Sequence, residues 1–297
     1  MEMSLLCQRR GIIKSRRFLL PDAITFGLIV GVFVGSTAGY LGSIMVSKHM
    51  ALVGDALSHV ALPGLALGIL FNFNPFIGAF AFLAATVIVT WYLQKSTSLS
   101  VEAIIGVLFV LALAIGILIT PQVDLLEALF GDVSKITLTD TIITVLVSVC
   151  VIIVTKAIYH KLAVSMISKE LATASKINVE RINLIYLFLV ATIVALGIKE
   201  VGTLLVGALV IVPAAAAKNF SSTLSRYCLM SSIFGLASAT LGVLLSSYVS
   251  LPAGPLVVMV GAAIFIAGVV ISAVSKRLKN KEHPQHRYAN PNKRATD

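Results

Sequence analysis

The sequence predicts an all-α, polytopic membrane protein of eight or nine transmembrane helices, and three observations carry that prediction. Of 297 residues, 58% are hydrophobic and only 12% charged, against about 45–50% and about 25% in soluble domains. The charges crowd into the two ends: residues 1–22 and 276–297 hold sixteen of them, leaving twenty for the 253 residues between. That middle divides into apolar runs close to the roughly 20 residues that a bilayer core of about 30 Å requires. So few charges cannot coat a water-soluble fold, which excludes a soluble enzyme. The chain therefore reads as a basic arm (1–22), a transmembrane domain (23–275) and a polar tail (276–297).

In chain order the apolar runs are 23–46, 55–70, 75–93, 101–119, 137–158, 183–198, 203–217, 228–248 and 255–274. The first places Gly27, Gly31, Gly35 and Gly39 four apart, with Gly42 three later. On a helix they form a smooth ridge that lets a second helix approach closely, a packing face that says nothing about cargo. The second run contains Pro63-Gly64 and Gly68, which predict a break or kink. Three runs are short, 55–70, 183–198 and 203–217, and the last two nearly abut at 199–202. Short or broken helices at membrane depth are tolerated only inside protein or along a cavity, which points to a path rather than an anchor.

Lysine and arginine set the orientation. The loops after the odd-numbered runs, with the tail, hold sixteen of them, and the opposite loops hold only Lys135 and Lys199. The C-terminus is therefore expected in the cytoplasm. Nine crossings then put the N-terminus outside, in conflict with its Arg9, Arg10, Lys14, Arg16 and Arg17. Either the arm lies on a membrane surface or one run is re-entrant. The net charge of +10 comes from basic residues scattered between apolar runs, not from a solvated basic face, so no nucleic-acid partner is expected. Cys7, Cys150 and Cys228 lie far apart and predict neither a disulfide framework nor a zinc knuckle. The N-terminal region lacks a convincing cleavage site for a secretory signal.

Ionisable residues within the apolar runs are the functional candidates. Asp55 and His59, four apart, project from one helical face a turn apart. A carboxylate with an imidazole suits divalent zinc, manganese or iron. On spacing alone a second reading stands beside this one, with Asp55 capping the helix and His59 a satisfied interior group. His49, beside Lys48, reads as a loop residue, and Glu102 as the start and cap of the fourth helix. Asp124, Glu127, Asp132 and Glu200 fall on the predicted outer side, where together they would form a negative funnel that concentrates cations. His283 and His286 belong to a polar tail and read as ordinary tail residues. No G-x-x-x-x-G-K-[ST] occurs, so any ATPase driving transport is a separate polypeptide. Its natural docking point is the cytoplasmic stretch 164–181, around Ser168-Lys-Glu-Leu-Ala-Thr-Ala174.

The run Gly54-Asp-Ala-Leu-Ser-His59 followed by Leu62-Pro-Gly64 resembles the permease subunits of bacterial ABC importers for zinc, manganese and iron. Phe130-Gly131, Val201-Gly-Thr-Leu-Leu-Val-Gly207 leading into Pro213-Ala-Ala-Ala-Ala217, and Leu251-Pro-Ala-Gly-Pro255 support the resemblance, which extends over about 23–274. It implies the all-helical fold of type II importers in a bacterial cytoplasmic membrane. It also implies a second permease (the same or a related chain), a cytoplasmic ATP-binding subunit and an extracytoplasmic metal-binding protein. It makes Asp55 and His59 metal-path residues, with no permanently bound cofactor, the divalent metal being cargo. The family's coupling segment commonly reads Phe-Asp-Pro-Glu-Phe-Ala. The aligned residues here are Ile167, Ser168, Lys169, Glu170, Leu171 and Ala172, so Glu170 and Ala172 remain while the aromatics and the aspartate are gone. The rival expectation is a proton-coupled secondary metal carrier with Asp55 and His59 as the relay.

Overall fold

A computed structural model describes residues 2–119, 131, 133, 136–249 and 251–282. Its helices are α1 (Glu2–Ser47), α2 (Ala51–Leu70), α3 (Pro75–Ser96), α4 (Val101–Ile119), α5 (Leu138–Ile167), α6 (Lys169–Ala174), α7 (Val179–Val201), α8 (Thr203–Lys218), α9 (Leu224–Val249) and α10 (Ala253–Glu282). No strand occurs among the described residues. Local sequence sets most of the starts. Asn74 accepts a hydrogen bond from the Phe76 amide at 3.0 Å, with Pro75 in the first turn of α3. Thr137 and Asp140 form a reciprocal capping box on α5. Asn178 accepts from the Arg181 amide at 3.0 Å to open α7.

Two of the three short runs are not short. The 55–70 run belongs to a helix of 20 residues, and the 183–198 run to one of 23. Hydropathy trims the ends of α7 because Glu180, Arg181 and Lys199 sit in its terminal turns. Two of them have partners on other helices: Lys95 lies 3.7 Å from Glu180, and Lys199 pairs with Asp140. Nor does α2 break at Pro63-Gly64; it continues through the proline to Leu70. The 203–217 run remains short, as the 16-residue α8. The chain enters it through Gly202 at φ 83°, a conformation in which a side chain would be strained.

Among the described residues eight helices are long and apolar enough to cross a membrane, with α8 as a ninth, shorter piece. At about 1.5 Å per residue α8 spans about 24 Å. It still returns the chain between the two ends of the bundle. Lys199, just before α8, lies with Asp140 and over the Phe76 ring at 5.1 Å, which marks one end. Lys48 donates to Asn183, and Lys95 faces Glu180, at the other. α9 runs antiparallel to α1, with Gly235 against Gly35 and Ser231 against Gly39, so it starts at the Lys48 end. The charged residues thus sort as the loop bias predicts. α1 runs toward Lys48, and its arm begins at the opposite end.

The glycine ridge of α1 does what its spacing predicts. A Cβ on Gly35 would lie 2.5 Å from the Gly235 carbonyl oxygen, and Ser231 donates to the Gly39 carbonyl at 2.5 Å. The two backbones touch, so nothing can give way. Gly235→Val is expected to cost about 3 kcal/mol and to lower the melting temperature and yield of the detergent-purified chain; unchanged melting would contradict this packing. Further in, Tyr186 of α7 is fully buried and donates to the Leu41 carbonyl at 2.8 Å. The periphery is the reverse: Val107, Val110 and Leu118 of α4, Leu146 of α5 and Val270 of α10 are exposed. Apolar side chains on the outside of long apolar helices are the surface of a multi-pass membrane protein.

Candidate functional site

α2 lies within the bundle, against α3, α4 and α8, and begins at Ala51 without a side-chain cap at Met50. Asp55 is therefore one turn inside the helix and does not cap it. Its carboxylate makes no hydrogen bond or ion pair among the described residues; Ser58 Oγ donates to its backbone carbonyl at 2.7 Å. His59 is not a satisfied interior group either. Its Nδ1 is buried with no hydrogen-bond partner among the described residues, and its ring lies 5.4 Å from that of Phe109, tilted by 53°. A buried, unsatisfied ring nitrogen is costly in a folded chain that gains nothing from it. Asp55 thus caps no helix, and His59 Nδ1 is left without a partner among the described residues.

Beside Asp55 is a cavity of about 240 Å³, lined by Leu52, Val53, Asp55, Ala56, Glu102, Gly106 and Phe109. Phe109 joins its wall to His59. On the other side of Asp55, α8 approaches at Gly207, where a Cβ would lie 2.5 Å from Asp55 Oδ1 and closer still to its Cα. Gly207 thus fixes how α8 seats against α2 at this carboxylate. Among the described residues no group of three or more His, Cys, Asp or Glu is placed to hold a metal ion. One chain offers a carboxylate and an imidazole, an incomplete coordination set.

Other candidates are dispersed. His49 is exposed in the α1–α2 turn at φ 59°. Its neighbour Lys48 is hydrogen-bonded to Asn183, lies 5.6 Å from the Tyr186 ring centre, and is pushed down to about 8 by burial. Of the outer acids, Asp124, Glu127 and Asp132 lie outside the described residues, and Glu200 stands in the last turn of α7. Glu170 is exposed on α6, where Ser168 Oγ donates to its carboxylate at 2.5 Å and accepts from the Leu171 amide at 3.1 Å. Ala172, two residues on, is fully buried. Within the stretch 164–181, α5 ends at Ile167, the six-residue α6 follows, and α7 begins at Val179. Glu102 does not cap α4, because Ser100 Oγ takes the Ala103 amide at 3.2 Å. Glu102 and Gly207 are brought beside Asp55 by the fold, although nothing in their sequence positions marks them as its neighbours.

The model of the ABC 3 transport family matches residues 22–272. The chain belongs to the ABC 3 transport family. Similar members include the manganese import system permease protein ScaB of Streptococcus gordonii, 30% identical over 86% of this chain and 93% of that protein. The high-affinity zinc uptake system membrane protein ZnuB of Haemophilus influenzae is 33% identical over 80% of this chain and 94% of its own length. Among solved structures, PsaBC from Streptococcus pneumoniae in complex with Fab matches with a TM-score of 0.75 and 28% identity, covering 86% of this chain and 94% of that one. An inward-facing putative metal-chelate type ABC transporter matches with a TM-score of 0.70 at 17% identity, over 82% and 84% of the two chains, a likeness of fold alone. The family match, over residues 22–272, includes the α2 segment that carries Asp55 and His59.

Proposed function

We propose that this chain is the membrane-spanning permease subunit of an ATP-binding-cassette importer carrying a divalent transition metal, manganese, zinc or iron, into the cell. The observation that carries the reading is the pair on α2: an unpaired carboxylate at Asp55 and a buried, unpartnered imidazole nitrogen at His59, beside a cavity, in a chain of this family. Metal delivered by an extracytoplasmic binding protein passes between two permeases, each of which contributes one carboxylate and one imidazole. Two ligands from each side hold a divalent ion while leaving it releasable, as a carrier requires. Relatives named for manganese and for zinc fit a mixed oxygen and nitrogen donor set that suits both ions. In the tail-side loops, α6 is the element that a cytoplasmic ATPase would move, and Asp124, Glu127, Asp132 and Glu200 would gather cations on the opposite side.

Proteoliposomes holding the chain, its ATPase and the loaded binding protein test the reading. Metal uptake that requires ATP supports it, and uptake driven by a proton gradient without ATP replaces it with a secondary carrier. Coupling has its own test. Glu170→Lys reverses a charge on the exposed face of α6 while buried Ala172 still anchors the helix. It is expected to weaken co-purification of the ATPase at least about tenfold, the scale of a lost charge-assisted contact. Undiminished co-purification would remove Glu170 from the docking surface.

A further inference from the structure

We infer that Glu102 is a second metal station on the same path, receiving the ion from Asp55 and His59 on its way to the cytoplasm; this rests on the transport reading above. The cavity is the first reason. It places Glu102 and Asp55 on one wall system, from two different helices, with Gly106 a turn beyond Glu102 on the same face. A Cβ on Gly106 would meet nothing within 4 Å, so the space beside that face is open.

The second reason is that Glu102 has no structural duty. Ser100 caps α4 in its place. The basic residue nearest in sequence, Lys95, is engaged elsewhere, 3.7 Å from Glu180 and 4.1 Å above the Trp91 ring. The Glu102 carboxylate forms no hydrogen bond or ion pair among the described residues, yet it is half-buried beside an apolar lining of Leu52, Val53, Ala56 and Phe109. A carboxylate facing that cavity without a protein partner has its oxygens available to a cation.

Position supplies the direction. α2 runs inward from the Lys48 end, so His59 lies deepest and Asp55 about 6 Å nearer that end. Glu102 opens α4 at the same end, the one that the lysine bias makes cytoplasmic. The order His59, Asp55, Glu102 is the order of import. No group of three or more His, Cys, Asp or Glu among the described residues is placed to hold one ion, so Glu102 is assigned to a successive position. A step of this kind lowers the cost of leaving a site that binds well, by offering a second oxygen donor before full rehydration.

The test compares Glu102→Gln, Glu102→Asp and Asp55→Asn in the assembled transporter, permease with ATPase, reconstituted and given manganese- or zinc-loaded binding protein. Two quantities are read: ATP-driven uptake, and metal retained by the complex without ATP. Glu102→Gln is expected to lower uptake at least tenfold while retained metal stays within twofold of wild type, and Glu102→Asp to recover at least half of the uptake. Asp55→Asn is expected to lose both. Wild-type uptake by Glu102→Gln overturns the second station. So does a loss of retained metal equal to that of Asp55→Asn, which would make Glu102 part of a single site, and so does failure of Glu102→Asp to recover. Wild-type uptake by Asp55→Asn would instead overturn the transport path on which the inference rests.

Discussion

Asp55→Asn is expected to reduce metal uptake to background while the chain still assembles with its partners. The substitution conserves volume and removes only charge. The Asp55 side chain supports no hydrogen bond among the described residues and caps no helix, so the fold loses nothing that holds it together. What it loses is the anionic oxygen of a two-ligand set. Even residues that merely orient a metal ligand change affinity about 10–100-fold when altered, so removing a ligand is expected to cost at least about tenfold. Size-exclusion of the complex, read beside uptake, separates the two effects. Wild-type uptake, or loss of assembly in step with loss of uptake, would count against a metal-binding role.

Gly207→Ala is expected to impair uptake almost as severely, by a different route. The added methyl would meet the Asp55 carboxylate at 2.5 Å and press on its backbone. A backbone contact cannot rotate away, so α8 must shift off α2, at a cost of about 1–3 kcal/mol. Melting temperature and uptake should fall together. Gly106→Ala provides the comparison, because its Cβ would enter open space within the same site region. It should leave stability intact or raise it slightly, since alanine is the better helix former. Equal behaviour of the two variants would mean that the α2–α8 approach is not what positions Asp55.

Much of this arrangement was readable from the sequence, and the part that was not has a common cause. Asp55 and His59 stand out because ionisable residues are rare against so apolar a background. The glycine ridge of α1 stands out because its spacing repeats. Hydropathy shortens α7 because it stops at a charge. Glu180 and Lys199 remain helical by pairing with Lys95 and Asp140, residues distant in the sequence. Pro63-Gly64 predicts a break or kink, and of the two the break does not occur, because α2 continues through the proline among its neighbouring helices. Glu102 was read as a cap because it stands in a first turn, and only the Ser100 hydrogen bond shows that the cap is taken. Gly207 had to wait for the helix it faces. In each case the missing fact was a partner that folding brings from elsewhere in the chain.

If the transported ion rests on Asp55 and His59, X-ray absorption on the assembled transporter loaded with zinc or manganese will read both ligands. Coordination at these residues predicts an imidazole scattering signature at the bound metal in the wild type, lost in His59→Ala while oxygen ligands remain. A spectrum with no imidazole contribution, or one that His59→Ala leaves unchanged, would place the metal elsewhere and contradict the claim.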